Sequence, residues 1–282
     1  MKKRKYRVNE LIRMTYKETK RSSLIVYLVL RLLVIICMIL QLIHGDLNNA
    51  LLCMLSLILL FAPMFIQNKF AITLPDGLEI SIYLFIFFAE ILGEINNFYI
   101  TIPYWDIMLH TINGFLATAV GFSLIDLLNK NSKSVNLSPF YLCLVAFCFS
   151  MTIGVLWEFF EYGSDKFLLF DMQKDSVVDK ISSVNFDESK KNKTVVLKDI
   201  DHTVIYDSDG NVLQVIDGGY LDIGLNDTME DLFVNFLGAL VFCFFAYFTV
   251  KNDKENKFID SFVPKKGKRE MAKSVLKELD NV

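Results

Sequence analysis

The chain has 282 residues, of which 53% are hydrophobic, and its mean hydropathy is +0.39. The formal net charge of −3 argues against a nucleic-acid partner, because an acidic chain is repelled by phosphate. The five cysteines all lie inside apolar stretches without a Cys-x-x-Cys pair, so we expect them to form neither a disulfide framework nor a metal site.

Six apolar runs follow one another along the chain, each close to the length that crosses a bilayer. A helix of roughly 20 residues at about 1.5 Å per residue spans a hydrocarbon core of about 30 Å. In lipid the backbone must satisfy its own hydrogen bonds, so the runs are predicted to be helices. The predicted fold class is an all-α membrane protein, a six-helix transmembrane bundle with runs near residues 24–43, 50–67, 78–97, 107–128, 139–161 and 229–250.

The first run is predicted to be an uncleaved anchor. It is longer than the apolar core of a signal peptide, and no small-residue cleavage site follows Leu42. The chain then divides into a basic cytoplasmic segment, five spans, an extracytoplasmic insert, a sixth span and a basic cytoplasmic tail. These parts cover residues 1–23, 24–161, 162–228, 229–250 and 251–282.

The distribution of Lys and Arg predicts the orientation. Nine basic residues precede residue 24 and nine follow residue 250, whereas the short connections at 44–49 and 98–106 contain none. Cytoplasmic loops carry the excess of positive charge, so both termini are predicted to lie in the cytoplasm and the protein in the plasma membrane. The long insert also carries lysines, but segments of that length are translocated largely regardless of charge.

A short amphipathic helix is predicted before the first span. Apolar residues between positions 8 and 16 recur at helical spacing among basic residues, a pattern typical of a helix on the anionic inner leaflet. A basic orientation signal without regular structure is the alternative.

A β-hairpin is predicted within the insert. Residues 203–206 and 212–216 are rich in β-branched side chains, and a polar turn that contains Gly210 separates them. The insert is therefore expected to carry small strands outside the helical bundle.

Ionisable residues in the predicted spans gather at the outer ends. Each set recurs at i,i+3 or i,i+4 spacing and so occupies one stripe of its helix. Charged groups inside a membrane are costly and typically mark a function, and several neighbouring carboxylates require something that neutralises them. The sequence predicts a polar site whose candidate metal ligands are Asp106, His110, Glu158, Glu161, Asp227 and Asp231, with Asn235 and Glu94 in support.

Two kinds of neutralisation are open at this stage. A divalent cation such as Mg²⁺, Mn²⁺ or Zn²⁺ suits carboxylates with an imidazole, and shared protons are the alternative. Asp106 and Asp227 also stand where helix N-caps belong, and Glu94 and Glu161 could be solvated at the headgroups. The remaining candidates lie a turn or more inside the membrane, so we expect convergence of His110, Glu158 and Asp231.

Small residues on the same helices would allow close helix contact near this site. They recur close to the polar positions of the fourth, fifth and sixth runs. They are Gly114, Ala117, Gly121, Gly154, Gly238 and Ala239.

Three motifs carry a family resemblance. They are W-D-x-x-x-H-x-x-x-G at 105–114, G-x-x-W-E-x-x-E at 154–161 and G-Y-L-D-I-G-L-N-D-T-M-E-D-L-x-x-N-x-x-G-A at 219–239. Together they resemble the YjdF-like family of bacterial membrane-spanning proteins, over roughly residues 75–250. That family has no established activity.

A looser similarity links the same polar pattern to VanZ-like membrane proteins, some of which are connected with glycopeptide-antibiotic resistance. Those chains usually have Glu-x-x-Gln where this one has Glu158-x-x-Glu161, and the insert at 166–218 also departs from their compact pattern. The two resemblances imply a shared outer polar site, on Asp106, His110, Glu158, Glu161, Asp227, Asp231 and Asn235.

Three functions are compatible with such a site. In the first, it binds a cation and acts on an envelope or lipid-linked molecule. In the second, it is the cation or proton site of a transporter. The sequence shows no inverted repeat and no polar stripe that continues to the inner side, and both observations argue against a transporter. In the third, it is a structural hydrogen-bond network and the insert binds a partner. Whether the protein is an enzyme stays open at this point.

Overall fold

The computed structural model describes residues 21–70, 72–131, 136–252, 259, 261–263 and 265–266. The predicted amphipathic segment at 8–16 and most of the basic tail lie outside the described residues. The chain forms two compact units. We call Met1–Gly154 with Val234–Val282 the helical unit, and Val155–Phe233 the insert unit.

Helices make up most of the described chain, and two of them continue from one unit into the other. A π-helix, Phe87–Ile95, directly follows the fourth α-helix, and Lys265–Lys266 (β8) pairs antiparallel with Ile72–Thr73 (β1). The α-helices are Arg21–His44 (α1), Leu47–Leu59 (α2), Ala62–Phe70 (α3), Asp76–Ile86 (α4), Phe98–Thr101 (α5), Trp105–Asn131 (α6), Pro139–Leu168 (α7) and Leu225–Lys251 (α8).

Five helical segments are long and apolar enough to cross a membrane. They are Ser22–His44, Leu47–Lys69, Trp105–Lys130, Pro139–Leu168 and Leu225–Lys251. A helical, multi-pass membrane protein is therefore confirmed. The third predicted run, near 78–97, is not among the five, and it forms an α-helix, Asp76–Ile86, that continues as a π-helix from Phe87. The count of six helices stays a prediction.

The helical unit exposes many of its largest apolar side chains. On α1, about half of the surface of Leu28, Leu32 and Ile36 is exposed, whereas Ser23 is buried. This arrangement reverses that of a water-soluble bundle, in which the apolar stripe faces inward. A surface of this kind is suited to lipid tails, since they are as apolar as leucine.

Glycines allow α6 and α8 to touch through their backbones. A Cβ atom added to Gly114 would collide with the carbonyl oxygen of Asn235, and one added to Gly238 would collide with that of Thr111. The two glycines therefore face each other's helix reciprocally. The prediction that small residues permit close packing is confirmed at these positions.

A compact apolar core supports this contact. Phe242 of α8 is fully buried and lies against Phe122 and Phe115 of α6 with ring centroids 5.9 and 5.2 Å apart. Residues of α6, α7 and α8 make up the cluster, namely Ala119, Phe122, Leu142, Cys143, Ala146, Phe242 and Ala246, together with Ile259.

Short antiparallel strands occupy the insert unit. They are Ser176–Val178 (β2), Ile181–Ser183 (β3), Val195–Leu197 (β4), His202–Tyr206 (β5), Val212–Asp217 (β6) and Tyr220–Asp222 (β7). They pair as β2 with β7, β3 with β4 and β5 with β6.

The turn between β5 and β6 is organised by one carboxylate. Asp207 Oδ1 accepts hydrogen bonds from the backbone N–H groups of Asp209 and Asn211, at 2.9 and 2.8 Å. Gly210 takes a φ of +84°, a conformation in which a side chain would be strained. The carboxylate of Asp207 thus adds two hydrogen bonds to the backbone bonds of this turn.

Candidate functional site

The part of α7 in the insert unit carries Glu158 and Glu161 on its buried face. Glu158, Glu161 and Ser164 are buried, whereas Phe159 and Phe160 are more than half exposed. The spacing of three residues returns the polar side chains to one stripe of the helix. The helix therefore turns its carboxylates inward and its aromatic rings outward.

Three buried carboxylates come together in the insert unit, and we call them the carboxylate cluster. One oxygen from each of Glu158, Glu161 and Asp231 lies within 4.8 Å of one from each of the other two. The residues are 4%, 7% and 2% exposed, respectively. The structure thus joins two neighbouring turns of α7 to the second turn of α8.

The electrostatics of the carboxylate cluster limit its charge state. Moving a carboxylate out of water costs several kcal/mol, and three negative groups at this distance repel one another. Oxygen ligands of one cation, at about 2.1 Å from Mg²⁺ or about 2.4 Å from Ca²⁺, lie at most about 4 to 5 Å apart. The spacing and the all-oxygen donor set therefore fit one shared hard cation, and they also fit carboxylates that share protons.

Trp157 connects the carboxylate cluster to the surface of α7. Its indole Nε1 donates a hydrogen bond to Glu161 Oε1 at 2.8 Å, and its ring packs 5.4 Å from that of Phe160. The ring itself is 45% exposed. One oxygen of Glu161 is thus held in a fixed orientation by an aromatic side chain that also faces outward.

Asp227, a predicted metal ligand, does not gather with the carboxylate cluster. Its Oδ2 accepts a hydrogen bond from the backbone N–H of Lys174 at 2.8 Å, and the side chain of Gln173 donates to Thr228 one residue farther along α8. Asp227 therefore ties the segment after α7 to the first turn of α8. Its hydrogen-bond partner is the backbone of a distant segment, not an N–H group of its own helix as in an N-cap, and its part in metal binding stays a prediction.

Two further carboxylates complete this connection, and neither was singled out from the sequence. Asp165 accepts hydrogen bonds from the backbone N–H groups of Met172 and Gln173, at 2.7 and 2.8 Å. Asp222 accepts from the N–H of Asn226 at 2.8 Å, next to the start of α8. The backbone groups that they bind lie four to eight residues along the chain. Of the two carboxylates, only Asp222 is next to a helix start that the sequence indicates.

In the helical unit, two candidate residues contact each other at the start of α6. His110 Nε2 lies 3.5 Å from Asp106 Oδ1, and His110 is buried while Asp106 is partly exposed. Glu94 is exposed on the π-helix. The participation of Asp106 and His110 with the carboxylate cluster stays a prediction.

Asn235 is enclosed by the helical unit. Its Oδ1 accepts from Asn113 Nδ2 at 3.3 Å, and its Nδ2 lies 3.6 Å from the sulfur of Met151. A Cβ atom on Gly154 would stand 2.9 Å from that same Nδ2. Asn235 therefore links α6, α7 and α8 through its side chain, and Asn113 is a partner that sequence spacing did not indicate.

Comparison with known proteins places the chain among membrane proteins. The sequence profile of a family described as "Predicted membrane protein (DUF2238)" matches residues 25–252. The resemblance to the YjdF-like family is consistent with this match, and that finer name stays a prediction. The matched range contains all three polar motifs.

One curated relative is a protein of Thermotoga maritima that is described only as uncharacterised. It is 29% identical to this chain over 108 residues, which cover 38% of the chain and 54% of the relative. The chain therefore matches about half the length of that relative. No solved structure matches the chain.

Proposed function

We propose that this chain, which belongs to the predicted membrane protein family DUF2238, binds a divalent cation through Glu158, Glu161 and Asp231 in the plasma membrane. The observation that supports the proposal is the approach of three buried carboxylates to within 4.8 Å of one another. A doubly charged ion offsets most of their mutual repulsion and replaces the water that burial removes.

The donor set favours Mg²⁺ or Mn²⁺ over softer metals. Carboxylate oxygens suit these hard ions, whereas thiolates and several imidazoles select zinc or copper. Water or a substrate oxygen would complete the coordination shell. A cation held in this way polarises a carbonyl or phosphoryl oxygen, which is the chemistry expected for an envelope or lipid-linked substrate.

The surroundings of Glu161 support a lipid-linked substrate. The exposed rings of Trp157 and Phe160 lie beside the carboxylate cluster on the outward face of α7. An acyl or prenyl chain could pack against those rings while its polar head reaches the cation. With both termini in the cytoplasm, as the basic residues predict, this end of α7 would face the outside of the cell.

Metal content tests the proposal. Protein purified in a mild detergent and dialysed against Mg²⁺ or Mn²⁺ should retain about one equivalent of metal, as measured by plasma mass spectrometry. Glu158→Gln and Asp231→Asn should each lower this content severalfold. Glu230→Gln is the matched control, because Glu230 is exposed and directly precedes Asp231. His110→Ala, measured in parallel, tests the predicted contribution of the imidazole.

A structural hydrogen-bond network is the second candidate, and the contact between Trp157 and Glu161 favours it. In that case the carboxyl groups share protons and hold no metal. Glu158→Gln would then be tolerated far better than Glu158→Ala, because an amide keeps the shape and part of the hydrogen bonding. Folded protein without stoichiometric metal, combined with this order of stabilities, would contradict the cation site.

A further inference from the structure

An apolar loop projects from the insert unit at the point where α7 ends. We use the name apolar loop for residues 167–170, which read Phe-Leu-Leu-Phe: Phe167 and Leu168 are the last two residues of α7, and Leu169 and Phe170 follow the helix. Phe167 is 80% exposed and Leu169 is 88% exposed. Ile223, which stands just before α8, is exposed to a similar degree. Large apolar side chains that are this exposed and contiguous mark a surface that contacts something other than water.

The backbone of the apolar loop adopts a conformation that leucine disfavours. Leu169 has a φ of +56°, and the N–H of Phe170 bonds to the carbonyl oxygen of Ser164 at 3.5 Å. Helices commonly end on a residue in this left-handed conformation, but glycine is the usual residue at that position. Leu169 thus places a branched side chain where glycine would cause less strain, and that side chain is almost fully exposed.

The segment that follows is fixed rather than slack. Both oxygens of Asp165 accept backbone N–H groups, from Met172 and Gln173, and Lys174 in turn bonds to Asp227. The residues on either side of the apolar loop are therefore held to α7 and α8. The hydrogen bonds on both sides of the loop therefore hold Leu169 in its exposed position.

The two helices that flank the loop identify what covers it. Residues 167–170 comprise the last two residues of the candidate span Pro139–Leu168 and the two that follow it, and Ile223 lies two residues before the span Leu225–Lys251. At about 1.5 Å per residue, the 30 residues of α7 extend roughly 45 Å, which exceeds a hydrocarbon core of about 30 Å. Its last turns therefore reach the headgroup region, where amphipathic segments rich in Phe and Leu insert.

We propose that the apolar loop and Ile223 form a membrane-surface anchor. The side chains of Phe167, Leu169 and Ile223 enter the lipid interface of the leaflet at which α7 ends. Lys166, which is exposed directly before the loop, keeps its amine at the phosphates while its stem follows the apolar surface. The anchor seats the strand-bearing insert on the bilayer, and it does not depend on the cation site.

Depth-dependent fluorescence quenching tests the anchor in the full chain. The protein has two tryptophans, Trp105 and Trp157, which are replaced by Phe so that one new tryptophan reports alone. Leu169→Trp is then compared with Leu213→Trp, since Leu213 on β6 is also apolar and 62% exposed. Both variants are reconstituted into phosphatidylglycerol-containing vesicles whose lipids carry bromine near the carbonyl end of the acyl chain.

The anchor predicts that brominated lipids quench most of the Leu169→Trp emission and leave the Leu213→Trp emission unchanged. Phe167→Trp repeats the measurement at the neighbouring position if Leu169→Trp yields no folded protein. Equal, weak quenching at positions 169 and 213 would place the loop in water and overturn the proposal. Blue-shifted emission that lipids do not quench, and that depends on protein density in the vesicle, would identify a second copy as the occupant and overturn it as well.

Discussion

The indole Nε1 of Trp157 donates to Glu161 Oε1 at 2.8 Å, so a half-exposed ring holds a buried carboxylate one turn farther along the same helix. This contact fixes one of the three groups from which the proposed cation site is built. A hydrogen bond to a charged group contributes about 1.5–3 kcal/mol, more than one between neutral partners.

Removing that donor should weaken cation binding. Trp157→Phe keeps most of the ring but removes the hydrogen bond that orients Glu161 Oε1, so we expect the affinity for Mg²⁺ or Mn²⁺ to fall by about tenfold or more. Trp105→Phe is the control, because among the described residues the buried indole N–H of Trp105 has no hydrogen-bond acceptor. Titration calorimetry on purified protein measures both variants, and equal affinities would show that the contact does not position the ligand.

The same substitution at two glycines should have opposite effects on stability. At Gly238 a new Cβ meets the backbone oxygen of Thr111, so Gly238→Ala should destabilise the protein by about 1–3 kcal/mol. Gly163 lies in α7 with no other atom within 4 Å of such a Cβ, and Gly163→Ala should stabilise it by up to about 1 kcal/mol. Thermal unfolding in detergent measures both, and a stabilising Gly238→Ala would refute the close contact of α6 and α8.

Orientation and span count are tested together by labelling. In a cysteine-free background, Ser208→Cys in the exposed turn should react with an impermeant maleimide on intact cells. Lys5→Cys and Ser274→Cys should react only after the membrane is opened, because six spans place both ends inside. Termini on opposite sides would instead support five spans, and an internal Ser208 would reverse the whole orientation.

The insert offers a pH-dependent element around Asp187. The hydroxyl of Ser189 and the N–H groups of Lys193, Lys191 and Ser189 donate to its carboxylate, and they lower the pKa of Asp187 below its usual value. A lowered pKa in the folded state means that this loop is most stable above pH of about 4 and loses stability as pH falls through the folded pKa.

Two measurements follow for this loop. At neutral pH, Asp187→Ala should increase trypsin cleavage after Lys190 and Lys191 severalfold, whereas Glu188→Ala, which removes an exposed neighbouring carboxylate, should not. In isotopically labelled wild-type protein, the amide resonances of Lys191 and Lys193 should shift together as the pH is lowered below about 4. Cleavage that is unchanged in Asp187→Ala would indicate that the hydrogen bonds do not order the loop.

The sequence predicted the membrane class because bilayer thickness imposes a length on every apolar run. Helical periodicity likewise placed Glu158 and Glu161 on one stripe, and the structure buries both. Hydropathy did not predict that the run near 78–97 changes to a π-helix at Phe87, because an apolar run indicates a helix of spanning length and not its hydrogen-bond pattern. The count of six spans therefore stays a prediction.

The spacing of residues in the sequence also could not predict the long-range hydrogen bonds. Asp227 was grouped with Asp231 because both lie on one stripe of α8, but its carboxylate faces the backbone of Lys174, more than fifty residues away. Asn113, Asp165 and Gln173 act through partners equally hidden from local patterns. A helical stripe therefore predicts which face is polar and not which neighbour each group meets.

Cation-dependent thermal unfolding tests the central claim most directly. The melting temperature of purified wild-type protein is measured in a chelator and in increasing Mg²⁺ or Mn²⁺, beside Glu158→Gln, Asp231→Asn and the control Glu230→Gln. Binding to the folded state alone should stabilise the wild type and Glu230→Gln, by about 2.7 kcal/mol at a hundred times the dissociation constant. The other two variants should not respond. A wild type whose melting temperature is the same in chelator and in saturating cation would contradict a cation site at Glu158, Glu161 and Asp231.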